Sequence, residues 1–200
     1  MRIIGGNDKG KRILYLGKNQ LRPTSSMVKE ALFNILPPLP GKTFLDVFAG
    51  TGSVGMEALS RGASSVVFIE KDGSLSRSVK KNLLLCGLAG RYEVLTMEAK
   101  RALSALRERG VTFDVIFADP PYEEGLVKEI LGCLADGRLF AEEGLLIIQH
   151  SSREELKADC TGDLILTDQR RYGDTILSFL NSYRGVKKTY ENRLISQVSG

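Results

Sequence analysis

The chain of 200 residues is 42% hydrophobic, which suffices for one α/β domain with a full core and leaves no room for a second large domain. Its three cysteines, Cys86, Cys133 and Cys160, are far apart and His150 is the lone histidine, so neither a zinc site nor a disulfide framework is expected. The formal net charge of +4 and pI near 9.0 permit a nucleic-acid partner without requiring one.

Arg2, Lys9, Lys11, Arg12, Lys18, Arg22 and Lys29 crowd the first segment against only Asp8 and Glu30, which marks either a basic binding face or an ordinary solvated surface. Thr24, Ser25 and Ser26 offer N-caps to a helix whose Val28, Ala31, Leu32, Ile35 and Leu36 follow helical spacing, and Pro37-Pro38 end it. Strands are predicted near 44–48, 66–70, 92–96, 113–118 and 144–150, alternating with helices near 53–61, 73–86, 99–109 and 124–136. That rhythm is βαβ and implies a parallel, doubly wound sheet with ligands at the C-terminal strand ends. Two further strands, Asp163 to Gln169 and Thr175 to Leu180, are expected around a turn at Arg170-Arg171-Tyr172-Gly173-Asp174. No leader or long apolar run is evident, which fits a reduced cytoplasmic compartment and no membrane.

Four strand ends carry chemistry. Phe44-Leu45-Asp46-Val47-Phe48 runs into Ala49-Gly50-Thr51-Gly52-Ser53-Val54-Gly55, a glycine loop between strand and helix that lets a ligand approach the backbone. Glu70 closes the second strand, where a carboxylate can hold both hydroxyls of a ribose, and Lys71 follows it. Glu98 and Ala99 follow the third strand, where Glu98 could reach an adenine amino group or simply face solvent. Asp46 beside the loop would repel a pyrophosphate but favour the sulfonium and ammonium of S-adenosylmethionine.

The fourth strand, Val115-Ile116-Phe117-Ala118, ends in Asp119-Pro120-Pro121-Tyr122. The Asp119 carboxylate and the Pro120 carbonyl can both accept hydrogen bonds from an exocyclic NH2, while Tyr122 can stack on the ring that bears it. Neither proline donates an N–H and each fixes φ, so the acceptors are preorganised. A plain strand-ending turn is the alternative. His150 is expected to be a strand-end side chain, since no acid or nucleophile accompanies it, and no cysteine neighbours the turn to serve pyrimidine-carbon methylation.

In this order, Asp46-Val47-Phe48-Ala49-Gly50-Thr51-Gly52, Glu70 and Asp119-Pro120-Pro121-Tyr122 resemble a class I S-adenosylmethionine-dependent methyltransferase of the exocyclic-amino type. With Arg2-Ile3-Ile4-Gly5-Gly6, Lys11-Arg12, Leu21-Arg22-Pro23-Thr24 and Lys29-Glu30-Ala31-Leu32-Phe33-Asn34, the chain resembles the RsmD family to about Tyr183. That resemblance implies a Rossmann-like fold with a seven-stranded, mostly parallel sheet and an antiparallel C-terminal hairpin. It implies methylation of guanine N2 in 16S ribosomal RNA, within a small-subunit particle, by a monomer without metal. It assigns the donor to Asp46, Phe48, Ala49, Gly50, Thr51, Gly52, Glu70, Lys71, Glu98 and Ala99, and catalysis to Asp119, Pro120, Pro121 and Tyr122. RNA contacts are expected from Arg2, Lys11, Arg12, Arg22, Pro23, Thr24 and Lys29, and from Arg170, Arg171 and Tyr172. One domain would span 1–184, and a basic tail 185–200 has no counterpart in the family.

Rivals remain at this level. A nicotinamide-dependent oxidoreductase would use the glycine loop and Glu70 but leaves Asp46 and the Asp119 turn unexplained. A non-catalytic RNA-binding module has no need of an acidic pocket. Methylation of adenine N6 in DNA, or of another RNA, shares the turn and lacks only the N-terminal likeness.

Overall fold

Alternating apolar strands and amphipathic helices wind here into one sheet, seen in a computed structural model that describes residues 1–14, 26–88, 90–122, 125–154, 156 and 163–182. The order is α1 (Ser26–Ile35), β1 (Thr43–Val47), α2 (Ser53–Ser60), β2 (Ser65–Ile69), α3 (Gly73–Cys86) and β3 (Arg91–Leu95). It continues with α4 (Ala99–Glu108), β4 (Phe113–Ala118), α5 (Leu126–Leu134), β5 (Phe140–Ser151), β6 (Leu164–Tyr172) and β7 (Thr175–Ser182). The seven strands lie in the order β3-β2-β1-β4-β5-β7-β6, parallel except that β7 runs antiparallel to both its neighbours. The expected fold, a mostly parallel seven-stranded sheet with an antiparallel C-terminal hairpin, is therefore present.

The chain winds outward from β1 to β3, then returns to start β4 on the other side of β1. The topological switch point thus lies between β1 and β4, where Val47 pairs with Ala118 and the two following loops part to open a crevice. Successive residues of the central strands point to opposite faces. Phe44, Phe117 and Ile147 join a core under α1, α2 and α3, while Leu45, Ile116 and Ile148 join a second core under α4 and α5. Asp46, Asp119 and Gln149 share the parity of the first set, so three polar side chains rise on one face of three adjacent strands.

Two local expectations needed correction. In α1 the buried face is Val28, Lys29, Leu32 and Phe33, whereas Ile35 is exposed, because the helix turns a lysine and a phenylalanine toward α2. Arg170, Arg171 and Tyr172 are not turn residues: β6 runs through Tyr172, which pairs with Thr175, leaving only Gly173-Asp174 as the turn. Gly173 has φ of 62°, the left-handed conformation such a two-residue hairpin needs. Thr24, Ser25, Arg22, Pro23, Lys18, Cys160 and the tail beyond residue 182 lie outside the described residues. No described helix is long and apolar enough to cross a membrane.

Candidate active site

The glycine loop is shaped by its neighbours. Gly50 and Gly52 adopt left-handed φ of 55° and 75°, and a β-carbon on Gly50 would have nothing nearer than 3.9 Å, so this backbone is open to a ligand. Gly55 serves packing instead, since a β-carbon there would fall 2.3 Å from the Phe68 ring on β2. Asp46 Oδ2 accepts the Gly55 N–H at 2.9 Å, tying β1 to the start of α2. Phe48 is the single non-glycine residue with positive φ among the described residues, at 63°, a strained conformation for a bulky side chain at the cavity mouth.

Around this loop opens a cavity of about 710 Å³ that reaches from β2 across β1 and β4 to β5 and the β6–β7 turn. On one side stand Asp46, Phe48, Ala49, Gly50, Thr51, Glu70, Lys71 and Asp72; on the other, Asp119, Pro120, Pro121, Tyr122, Gln149 and Tyr172. Among the described residues, five carboxylates, Asp46, Glu70, Asp72, Asp119 and Asp174, border it against one ammonium, that of Lys71. Such a lining attracts a cationic ligand and repels a phosphate.

Glu70 is buried, and its carboxylate accepts the Gly50 N–H through Oε2 and the Asp72 N–H through Oε1, both at 2.8 Å. It is thereby fixed at the loop with lone pairs left for a diol. Asp72 caps α3 by accepting from Ser74 N and Leu75 N, and those bonds lower its pKa. Asp46 behaves oppositely. Burial pushes its carboxyl up to about 7, with Asp119 and Glu70 adding to the rise and the Gly55 N–H opposing it. A cation entering the cavity would draw that value back down.

The Asp119 turn is held across strands. Asp119 N–H donates to Val47 O at 3.3 Å, and Gln149 Nε2 donates to Asp119 Oδ1 at 2.9 Å. Tyr122 Oη lies 3.5 Å from Gln149 Nε2 and 3.2 Å from Thr175 Oγ1. Gln149, Thr175 and Met27 also border the cavity, and sequence reading missed all three. Only the register of β5 and β7 brings Gln149 and Thr175 to the Asp119 turn, and no local pattern carries that register.

Other expected residues fall differently. Glu98 and Ala99 border a second hollow of about 540 Å³ that meets the main cavity at Phe48. Glu98 is largely exposed and pairs with Lys71 at 3.8 Å. Lys29, expected to face RNA, is 3% exposed and lies 3.6 Å from the buried Glu57, with its Nζ donating to Arg2 O at 3.0 Å; it cannot reach a phosphate. Lys11 is exposed but its ammonium is engaged by Asp8 at 2.5 Å and by Cys86 O at 2.6 Å. Arg2 and Arg12 are exposed and paired across an antiparallel bridge, so two like charges stand opposite one another. On β6, Tyr172 borders the cavity, Arg170 pairs with Asp168 at 2.7 Å, and Arg171 Nε donates to Gly173 O. His150 is buried away from the cavity between Ser178 Oγ and Ser151 O, and burial lowers its pKa.

Residues 1–181 match the family model described as Conserved hypothetical protein 95. YlbH of Bacillus subtilis, provisionally named an rRNA methyltransferase, is 37% identical over 176 residues, 88% of this chain and 95% of its own. Ribosomal RNA small subunit methyltransferase D of Escherichia coli K12 is 37% identical over 150 residues, 74% of each chain. A solved hypothetical protein of Thermus thermophilus superposes with a TM-score of 0.76 at 32% identity, covering 90% of this chain and 98% of that one. By matched length and identity, and by the glycine loop and Asp119 turn it carries, the chain belongs to the Conserved hypothetical protein 95 family, the RsmD family of methyltransferases.

Proposed function

We propose that the protein transfers the methyl group of S-adenosylmethionine to the exocyclic N2 amine of a guanine in small-subunit ribosomal RNA. The observation that carries this reading is the division of one acidic cavity into a glycine-loop half and an Asp119 half, facing each other across the switch point. The loop half suits the donor: Gly50 leaves space, Glu70 is fixed for ribose hydroxyls, and Asp46 complements positive charge. The bound donor supplies an electrophilic methyl carbon on a sulfonium. The name of the Escherichia coli relative supports ribosomal RNA of the small subunit as the acceptor.

An exocyclic guanine amine is a poor nucleophile because its lone pair is delocalised into the ring. Asp119 and the Pro120 carbonyl accept its two hydrogens, orient the lone pair and favour a tetrahedral nitrogen. The bound donor would supply the methyl carbon and retain the carbon–sulfur electron pair as a neutral thioether, so the protein's own side chains need only orient the amine and take up its proton. Alkylated nitrogen is acidic, so the surplus proton passes to Asp119 or water after transfer, and Asp119 need not be a strong base. Tyr122 offers a stacking face that offsets part of the cost of extruding the base.

Tritiated donor offered to small-subunit particles from cells lacking this activity, followed by nucleoside analysis, tests the reading. Labelled N2-methylguanosine is expected; N6-methyladenosine or an unlabelled particle would overturn it.

Arg2 and Arg12 are assigned to phosphate, since an anion between them relieves their mutual repulsion. Arg12→Glu should weaken RNA binding at low salt and lower the salt slope by about 1 per lost contact, leaving donor affinity unchanged. A binding titration repeated over a salt series checks this, and an unaltered slope would remove the assignment.

A further inference from the structure

Gln149 is a side chain that the mechanism above does not use, yet it touches both groups that would hold the base. It follows Ile148, whose partner on β4 is Ala118, so it stands level with Asp119 on the neighbouring strand. Its Nε2 donates to Asp119 Oδ1 at 2.9 Å and reaches Tyr122 Oη at 3.5 Å. Tyr122 Oη in turn meets Thr175 Oγ1 on β7. The residue is 5% exposed, and its Oε1 is a buried acceptor with no hydrogen-bond partner among the described residues.

That arrangement has an unusual balance. The amide cannot flip, because flipping sets Oε1 against the Asp119 carboxylate. It therefore keeps its amide nitrogen on the catalytic turn and leaves its buried oxygen without a partner among the described residues, which disfavours the fold. An apolar side chain would pack on this face, where the cross-strand partner Leu177 and the nearby Ile147 belong to the hydrophobic core, with no orphaned atom. A glutamine kept for stability alone is poorly chosen here. The torsion of the Asp119 carboxylate is broad and soft unless a bond fixes it.

We propose that Gln149 is a positioning residue for methyl transfer: its amide nitrogen locks the Asp119 carboxylate plane and the Tyr122 ring for the incoming amine, at a cost in fold stability. This rests on Asp119 being the acceptor of the exocyclic amine, as proposed above.

The test compares wild type, Gln149→Leu and Gln149→Glu in three measurements: thermal midpoint, donor affinity by calorimetry, and kcat and KM on small-subunit particles across pH. Gln149→Leu should keep or raise the midpoint, keep donor affinity and KM, and lower kcat by about 100-fold, the scale of a small misplacement of a reacting group. Gln149→Glu adds a second carboxylate beside Asp119, and two such groups cannot both ionise freely. Protonated, the introduced carboxyl donates one bond to Asp119 and restores rate; ionised, it repels Asp119. Its kcat should approach wild type at low pH and fall toward the leucine variant as pH rises. Asp46, Glu70, Lys71, Asp72, Tyr122, Tyr172 and Asp174 border the same cavity in all three proteins, so the ratio to wild type is the quantity read.

A leucine variant with wild-type kcat, or one whose loss follows a lowered midpoint, overturns the proposal, as does a glutamate variant whose pH profile parallels wild type. Failure of the underlying reading is distinguishable, because it shows in the wild-type product: a nucleoside without a methylated exocyclic amine removes Asp119's role before any variant is compared.

Discussion

Replacing Asp119 with alanine is expected to abolish methyl transfer, lowering kcat by at least about 10³-fold, while the donor still binds with near wild-type affinity. On the proposed mechanism the variant loses a charged acceptor for the nitrogen where positive charge develops, and one such preorganised group is commonly worth about 10²–10³ in rate. Here the loss also unseats Gln149, which donates to Asp119 Oδ1, so orientation fails along with electrostatics. The carboxylates beside the glycine loop, Asp46 and Glu70, remain, and removing the Asp119 charge takes away one of the influences that raise the Asp46 pKa. Asp46 then ionises more readily and complements a cationic donor at least as well as before. Calorimetry with the donor and tritium transfer to RNA check the two halves separately. A rate within tenfold of wild type would reject the catalytic role, and a large loss of donor affinity would reject the division of the cavity.

The parts of this site that can be read from sequence are those whose meaning is local. Asp46 through Gly55 and Asp119 through Tyr122 each carry strand, turn and functional group within ten residues, so pattern alone places them at strand ends, and the strands lie within a few residues of their expected bounds. What escapes depends on pairing between distant segments. Gln149 reads as an ordinary strand-end residue until the Ala118–Ile148 register sets it beside Asp119. Lys29 reads as a solvated lysine among basic neighbours, because its partner Glu57 lies on another helix 28 residues on. The β6–β7 turn is legible in principle: Gly173-Asp174 is a two-residue turn signal, but the preceding Arg170-Arg171-Tyr172 reads as too polar for a strand and draws the expected loop back over it.

Glu57 supports the most consequential prediction for stability. The residue is 0% exposed on α2, and its carboxylate accepts Ile4 N–H at 2.8 Å through Oε2 and Arg61 Nε at 2.9 Å through Oε1, with Lys29 Nζ 3.6 Å away. Lys29 also donates to Arg2 O, so one buried anion joins α1, α2 and the N-terminal arm. Removing one partner of a buried pair leaves the other charge uncompensated and typically costs about 3–5 kcal/mol. Glu57→Ala should therefore lower the thermal midpoint by about 10 °C, given roughly 2–4 °C per kcal/mol at this size. It should also release the arm that carries Arg2 and Arg12 and weaken RNA binding. Burial pushes the Lys29 ammonium below its usual range, and Glu57 is the group that pulls it back up. Without Glu57 the folded variant holds Lys29 neutral at lower pH than the unfolded chain does, so unfolding takes up a proton. The variant should regain stability as pH rises from neutrality toward 10.5, the ordinary lysine value, relative to wild type. The double variant Lys29→Met, Glu57→Leu should recover much of the loss, because apolar residues of similar volume often replace a buried ion pair at little cost. Denaturant midpoints at two pH values decide the matter: a single-variant loss under about 1 kcal/mol, or a double variant no better than Glu57→Ala, would show that the arm is held by packing of Ile3 and Ile13 rather than by this charge cluster.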